Sequence, residues 1–289
     1  METIAMMTFS AIRKNIVGII ASRHIAGGTI EDALKVCRWA AREHFHSIVS
    51  PWRGSGNTPE RMLEQYKTAI DIVYRQDLNL YLSVKLDALA YRTDFFDEVM
   101  NFARSRGVHI HLDSLDPESA GTSLKFLERA VQSCHSIGYT LPSRWRRSLQ
   151  DADRIIELGV PVRIVKGQWL DPSERRLDCV RNYHEIARRL SGRCRRVHVA
   201  THDMSLAARV MKDLRSSDTP CELEQFFSLP LNGAKLAKQL GYPYRVYVAY
   251  GSPGVPYNVR FTLTRPSIAE WILADFALGR KRPWAEIYQ

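Results

Sequence analysis

The feature that most constrains the fold is an alternation of short apolar runs and longer helix-period segments along most of the chain. The apolar runs are typical of buried strands, and successive runs lie roughly 25–35 residues apart, the size of one strand–helix–strand unit. They occupy residues 46–50, 80–86, 108–112, 138–141, 162–165, 197–200, 221–224 and 245–250. Strands that alternate with helices in this way predict an α/β fold with eight parallel strands, a closed (β/α)₈ TIM barrel.

The segments between the runs carry the start and stop signals of helices. Thr29 is placed as an N-cap, and Asp32 three residues later approximates a capping box. Thr58 precedes Pro59, which suits the first position of a helix, and Gly107 follows another periodic segment as a stop. These signals predict amphipathic helices between the strands.

An open, doubly wound sheet is the alternative arrangement of the same elements. No Gly-x-Gly-x-x-Gly motif follows any of the strand-like runs, which disfavours a dinucleotide-binding sheet. The 289 residues contain no low-complexity linker, and a barrel typically needs about 250 residues. We therefore expect one domain over 1–289, with 1–28 forming a short helical lead-in.

Composition excludes several classes of function. The formal net charge is +10, but the basic residues are scattered and no nucleic-acid-binding motif is visible, so no nucleic-acid partner is expected. The five cysteines lack Cys-x-x-Cys spacing, which argues against disulfides and structural zinc and favours the cytoplasm. No apolar run approaches the roughly 20 residues of a transmembrane helix, so none is expected.

Polar residues follow the strand-like runs at the edge where a barrel places its active site, the carboxyl ends of the strands. They are Lys85, Asp113, Lys166, Gly167, Thr201, His202, Asp203, Glu224 and the segment 247–251. A single charged residue at a strand end more often forms a loop salt bridge than a catalytic site. Convergence from six strands predicts a catalytic site.

Lys85 ends a run whose other residues are those of a buried strand. An unpaired ammonium group there would carry a large desolvation penalty, so it needs a partner. Asp113, at the end of the next strand, is the expected partner. A buried pair of this kind beside a cavity points to function more than to stability.

At these positions the sequence resembles the proline dehydrogenases. The most specific match is 163–167, which contains Arg163, Lys166 and Gly167. The remaining matches follow in the order of the predicted elements, at 24–27, 83–86, 111–113, 145–147, 200–203, 222–224, 245–247, 250–251 and 256–260. Each match is short, and their order on the expected elements gives the resemblance its weight.

The resemblance implies an FAD across the barrel mouth, whose N5 accepts a hydride from the carbon beside the nitrogen of proline or a proline-like cyclic amine, giving the imine. The implied catalytic residues are Asp113, Arg163 and Lys85, with Arg163 near N5. The implied cofactor contacts are Ser114, Arg163, Lys166, Gly167, Gln168, Trp169, Thr201, His202, Asp203 and Glu224. The implied substrate contacts are Lys85, Asp113, Tyr247, Tyr257, Arg260 and Phe261.

Two departures from the family pattern bear on the substrate and the cofactor. Phe261 stands where a second arginine would hold the substrate carboxylate beside Arg260, and Pro142 stands where a glutamine would bond the flavin. One Arg–carboxylate contact contributes roughly 1.5–3 kcal/mol, so its loss weakens proline binding about 10- to 100-fold. Either Arg265 or Arg144 substitutes, or the substrate is a carboxyl-modified or carrier-tethered prolyl group.

Two other classes of function stay open at this point. His109, His111 and Asp113 share one strand face, and His198 and His202 lie on or beside another, so a metal-dependent barrel hydrolase is an alternative, although we expect no metal. A flavin-less barrel that only binds a partner is the other alternative. The electron acceptor, whether oxygen, a quinone or a protein, and the oligomeric state also stay open.

Overall fold

The computed structural model describes residues 25–54, 56–133, 136–227 and 231–251. Its eight strands form one closed barrel in chain order, and every neighbouring pair is parallel. The first strand, β1 (His46–Trp52), pairs with both the second and the last strand, which closes the barrel. The predicted (β/α)₈ barrel is confirmed, and the open sheet is excluded.

The strands lie close to their predicted positions. They are β2 (Leu80–Lys85), β3 (Ile110–Asp113), β4 (Ile137–Pro142), β5 (Val162–Val165), β6 (Val197–Ala200), β7 (Cys221–Phe226) and β8 (Tyr244–Gly251). β3 begins two residues later than predicted, because the N–H of Val108 still donates to the carbonyl of Ala103 in the preceding helix. β1 runs on to Trp52 because its pairing with β8 continues to that residue.

Eight α-helices are described, one before β1 and one in each of the seven connections between strands. They are α1 (Ile30–Arg42), α2 (Pro59–Tyr74), α3 (Thr93–Ser105), α4 (Ala120–Ser133), α5 (Ser148–Leu158), α6 (Cys179–Leu190), α7 (Met204–Arg215) and α8 (Gly233–Leu240). The capping box of α1 is confirmed, since Thr29 Oγ1 accepts from the N–H of Asp32 and the Asp32 carboxylate accepts from the N–H of Thr29. Pro59 is the first residue of α2 and directly follows the N-cap, Thr58.

The two faces of the strands differ in chemistry. Outward residues such as Val84, Leu112 and Ile164 are at most 1% exposed and belong to the apolar core shared with the helices. Alternate residues of the same strands, such as Lys85 and Arg163, contact partners on other strands across the barrel interior. Barrel interiors are usually filled by branched apolar side chains. Much of this interior is polar instead, and it holds the candidate site.

The described end of the predicted lead-in, residues 25–28, is not helical. It runs beside the last strand, where the N–H of Ala26 donates to Ala249 and Gly27 accepts from the N–H of Gly251. Residues 1–24 lie outside the described part of the chain, as do 252–289. In the ranges that are described, no helix combines the length and the apolar character needed to cross a bilayer.

Candidate active site

Lys85 lies at the carboxyl end of β2, directly beside Asp113 in the register of β2 and β3. Its ammonium donates to Asp113 Oδ2 at 2.9 Å, to Tyr247 Oη at 3.0 Å and to Ser50 Oγ at 2.6 Å. The Lys85–Asp113 pair predicted from the sequence is therefore present. Because an ammonium group has three hydrogens, Lys85 holds Asp113 and Tyr247 in place with no donor left over.

Arg163 links Asp113 to Glu224 across the barrel interior. Its Nη1 donates to Asp113 Oδ1 at 2.6 Å, and its Nε lies 2.9 Å from Glu224 Oε1, a charge contact without hydrogen-bond alignment. Arg163 and Glu224 are each 2% exposed. Arg163 Nη2 and Glu224 Oε2 are buried and have no hydrogen-bond partner among the described residues. We call Lys85, Asp113, Arg163, Glu224 and Tyr247 the upper cluster.

Charge is fixed within the upper cluster. Burial alone would raise the pKa of Asp113, but the positive charges of Lys85 and Arg163 lower it to about 2. Burial would lower the pKa of Lys85, yet its contacts with Tyr247 and Asp113 raise it. Burial and the charge of Asp113 raise the pKa of Tyr247. At neutral pH the site therefore presents a carboxylate, an ammonium and a neutral phenol.

The loop after β5 places Lys166 and Gly167 at the same end of the barrel. Lys166 Nζ is 3.6 Å from Asp203 Oδ2, a half-exposed pair at the rim. Gly167 has φ +83°, and a Cβ there would lie 2.7 Å from Cβ of Pro142. Only glycine combines this left-handed backbone with so close an approach. Glycine at position 167 therefore allows Pro142 to pack directly against the backbone of this loop.

The residues after β6 mainly stabilise their own loop. Asp203 caps α7 by accepting from the N–H of Leu206 at 3.0 Å, and Thr201 Oγ1 accepts from the N–H of Asp203 at 3.1 Å. His202 Nε2 accepts from the N–H of Phe226 at 3.0 Å. The capping role of Asp203 was not foreseen from the sequence. Cofactor contacts of these three residues stay a prediction.

The other predicted cofactor residues flank the same rim. Ser114 donates to the carbonyl of Thr140 at 2.6 Å, so its hydroxyl ties the end of β3 to β4. Gln168 is half-buried, and Trp169 is 36% exposed, with its carbonyl accepting from the Trp145 indole at 3.1 Å. The predicted substrate residues Tyr257, Arg260 and Phe261 lie outside the described residues, as does Arg265.

Two contributors, Ser50 and Thr140, were missed from the sequence. Ser50 accepts from Lys85, and Thr140 lies beside Arg163 in the β4–β5 register and bonds His111 Nε2 at 3.0 Å. Arg144 follows β4, where its N–H donates to the carbonyl of Lys166 at 3.1 Å. The signal for Ser50 and Thr140 was available, because each occupies an inward position of a period-two strand.

The metal-site alternative is not supported by these contacts. His109 Nδ1 bonds Ser136 Oγ at 3.1 Å, His111 bonds Thr140, and Asp113 is held by two cations. His111 and Asp113 lie on β3 and His109 directly precedes it, but the three side chains do not converge on one point. Over the described ranges no group of three or more His, Cys, Asp or Glu residues is arranged to hold a metal ion.

Comparison with curated proteins identifies relatives of nearly the same length. Proline dehydrogenase 1 of Bacillus subtilis (strain 168) is 26% identical over 274 residues, covering 88% of this chain and 89% of that protein. Proline dehydrogenase of Deinococcus radiodurans is 24% identical over 281 residues, covering 90% and 91%. No protein-family model matches the chain.

Solved structures share the barrel. Proline utilization A from Bdellovibrio bacteriovorus, inactivated by N-propargylglycine, matches 97% of this chain with a TM-score of 0.75 and 20% identity. A variant of the Bradyrhizobium japonicum protein matches 93% with a TM-score of 0.68 and 21% identity. This chain spans 36% and 33% of those larger chains, and at this identity the likeness concerns the fold. Since the curated proteins match along nearly their whole length, the chain is a divergent relative of the proline dehydrogenases.

Proposed function

We propose that this protein is a flavin-dependent dehydrogenase that oxidises the carbon–nitrogen bond of proline, or of a proline-derived cyclic amine, to the imine. The observation that carries the proposal is the upper cluster, in which Nη2 of Arg163 is buried and has no hydrogen-bond partner among the described residues. An unused buried donor beside fixed charges is typical of a site that is completed by a ligand. The curated relatives give the class of reaction.

The described residues fit a flavin. Arg163 Nη2 is a buried donor without a hydrogen-bond partner among the described residues, and Gly167 packs directly on Pro142 in the loop at the same end of the barrel. Lys166 adds a half-exposed positive charge at the rim. We propose that FAD is held by these residues together with Ser114, Gln168, Trp169, Thr201, His202, Asp203 and Glu224. When bound, it would supply the acceptor for the hydride, which carries the two electrons of the oxidation.

The chain's own residues set the electrostatics of the reaction. Arg163 is a buried cation whose position is fixed. Because the dielectric constant is low in the protein interior, it stabilises negative charge that develops next to it more strongly than a solvated arginine would. Lys85 needs no movement to hold Asp113 and Tyr247, because its three bonds are already formed. The group is therefore preorganised before substrate arrives.

Asp113 is proposed to position the substrate rather than to act as a base. With a pKa of about 2, its carboxylate does not retain a proton at neutral pH. It can accept a hydrogen bond from a substrate N–H while the nitrogen keeps the lone pair that the imine requires. The proton of a protonated substrate amine is then lost before the carbon–hydrogen bond breaks.

How strongly the protein binds a substrate carboxylate distinguishes free proline from a modified prolyl group as the substrate. The resemblance gives Arg260 as one carboxylate ligand and Phe261 in place of the second. We propose that the substrate is a carboxyl-modified or carrier-tethered prolyl group, for which an apolar side chain at 261 is suitable. The electron acceptor is left open.

Anaerobic bleaching of the bound flavin tests the proposal. The purified full chain is expected to absorb blue light and to bleach with proline amides or esters at lower concentrations than with L-proline. Phe261→Arg is expected to reverse this order by tightening L-proline binding about 10- to 100-fold. A folded protein that takes up no flavin contradicts the proposed reaction. Efficient bleaching of the unaltered protein by millimolar L-proline contradicts only the modified substrate.

A further inference from the structure

A second cavity lies at the amino-terminal end of the barrel, on the opposite side from the upper cluster. It has a volume of about 450 Å³ and is lined by residues at or just before the first positions of the strands, among them His46, His109 and Arg245. Strands rise about 3.3 Å per residue, so the four residues of β6 alone separate the two ends by about 10 Å. The proposed dehydrogenase reaction makes no use of this cavity.

The rim of the cavity carries unbalanced positive charge. Arg195 and Arg196, in the turn before β6, are both exposed and line the cavity. Neither forms an ion pair with any residue in the described part of the chain. Their neighbour Arg193, by contrast, pairs with Asp153 at 3.4 Å. Two adjacent guanidinium groups at one opening therefore have no anionic partner in the described protein.

The wall of the cavity does not neutralise this charge. Arg245 is buried there, and its guanidinium is bonded to Glu222, to Asn79 Oδ1 at 3.0 Å and to the Ser47 carbonyl at 2.6 Å. The charge of Glu222 is thus already balanced by Arg245. Arg195 and Arg196 therefore give the cavity its net positive charge.

Histidine rings form part of the floor of the cavity. His109 and His198 line it, each with its ring edge-on to Tyr81, at centroid distances of 4.9 and 6.0 Å. Burial and the neighbouring positive charges lower the pKa of His109 to about 3, so this ring is neutral at physiological pH. A neutral imidazole offers one N–H donor without adding a charge that would need balancing.

We infer that this amino-terminal cavity binds a small organic anion with two or more carboxylate or phosphate groups, held by Arg195 and Arg196 at the rim. Planar guanidinium groups bind carboxylates and phosphates through paired hydrogen bonds, which gives the rim its selectivity for oxyanions. A volume of about 450 Å³ is too large for a single inorganic ion and lies within the range of roughly 300–1,000 Å³ typical of small-molecule sites.

Calorimetric titration of the purified full chain tests this inference. The probes are citrate and succinate for carboxylates, and pyrophosphate and glycerol phosphate for phosphates, all against sodium chloride at matched ionic strength. At least one probe is expected to bind with a Kd below about 1 mM, whereas chloride gives no saturable signal. Preference between the two pairs of probes identifies the anionic group that the cavity selects.

Matched variants locate the binding. Arg195→Ala combined with Arg196→Ala is expected to weaken the best probe at least about tenfold, because both paired contacts are lost. Both side chains are exposed, so the variant is expected to fold normally. Arg193→Ala removes one positive charge from the same turn but no residue of the cavity lining, and it is expected to leave the Kd within about twofold.

Absence of saturable binding by every probe overturns the inference. So does an equal loss in the Arg193→Ala control and the double variant, since that result indicates general attraction to a basic surface. The titration involves no turnover, so a negative result leaves the proposed dehydrogenase reaction untouched. Loss of flavin bleaching in turn leaves the anion site untouched.

Discussion

The barrel interior contains two ion clusters that differ in completeness. The lower cluster consists of His46, His198, Glu222 and Arg245. Glu222 accepts from His198 at 2.6 Å, from His46 at 3.2 Å and from Arg245. Burial alone would raise the pKa of Glu222, but these partners hold it well below the usual range. All donors of the Arg245 guanidinium are used. The lower cluster is closed.

The upper cluster also contains a contact between an arginine and a glutamate, but it is not closed. Arg163 Nη2 and Glu224 Oε2 are buried and have no hydrogen-bond partner among the described residues. Glu222 and Glu224 lie on the same face of β7, so one strand supplies the carboxylate of both clusters. In this fold the amino-terminal end serves stability and the carboxyl-terminal end serves chemistry. Incomplete hydrogen bonding identifies which cluster awaits a ligand.

A matched pair of arginine substitutions separates these two roles most strongly. Arg163→Lys keeps the positive charge but removes the planar array of guanidinium N–H donors. We expect the rate of flavin reduction to fall about 10²- to 10³-fold. Arg245→Lys removes the same array from the lower cluster, and we expect the free energy of unfolding to fall by about 3 kcal/mol with the reduction rate unchanged.

Anaerobic stopped-flow reduction and thermal unfolding measure the two effects. The reduction rate is compared for the folded protein only, at a temperature well below both melting transitions. Equal losses of rate in the two variants contradict the division of roles between the clusters. An unchanged rate in Arg163→Lys means that the flavin does not contact Arg163.

Gly167 tests whether the loop after β5 must approach a ligand closely. Gly167→Ala places a Cβ 2.7 Å from Pro142 at φ +83°, and we expect flavin affinity to fall about tenfold or more as the loop moves. Gly159→Ala is the control, since Gly159 has φ +66° with open space around it. It is expected to cost about 1 kcal/mol of stability and no flavin affinity. Flavin titration and thermal unfolding measure both, and equal flavin loss contradicts the proposal.

Tyr247 is expected to have a smaller effect. Its hydroxyl accepts from Lys85 and donates to Asp113 at 2.9 Å, so Tyr247→Phe removes two bonds of the upper cluster and should lower kcat/KM about tenfold. Tyr244→Phe is the control on the same strand, since its hydroxyl donates to Gln225 Oε1 at 2.8 Å, outside that cluster. It should cost about 1 kcal/mol of stability without changing kcat/KM. A loss of kcat/KM in both variants would indicate a general defect of β8.

The barrel could be predicted from the sequence because its signals are local and repeated. Each apolar run fixed one strand within about two residues, and the caps Thr29 and Thr58 fixed two helix starts. The Lys85–Asp113 pair was also predictable, since neighbouring parallel strands bring their carboxyl ends together.

Contacts across the barrel could not be predicted in the same way. The meeting of Arg163 with Asp113 and Glu224 depends on the stagger of non-neighbouring strands, which no local pattern records. Asp203 also serves as an ordinary helix cap, a role that the resemblance did not indicate, and its cofactor contact stays a prediction. The closed lower cluster was missed because its four residues come from four different strands.

The pH dependence of kcat/KM gives the finest test of the contrast between the clusters. The folded pKa of Asp113, about 2, lies below its ordinary value of 3.8, so its ionised state and the stability linked to it are lost only as the pH falls through that acid range. The pKa values of Lys85 and Tyr247 are raised, which keeps both protonated. None of the three changes charge between about pH 5 and about pH 9.

The rise of kcat/KM with pH is therefore expected to follow the substrate amine, which reacts only when deprotonated. A cyclic amine of lower basicity should move the midpoint of that rise to lower pH by the full difference between the two amine pKa values. His109→Gln, at the amino-terminal end, should leave the midpoint where it is, because that ring is neutral throughout. If the midpoint stays fixed when the substrate changes, a group of the enzyme controls it, and the charge states assigned to the upper cluster are wrong.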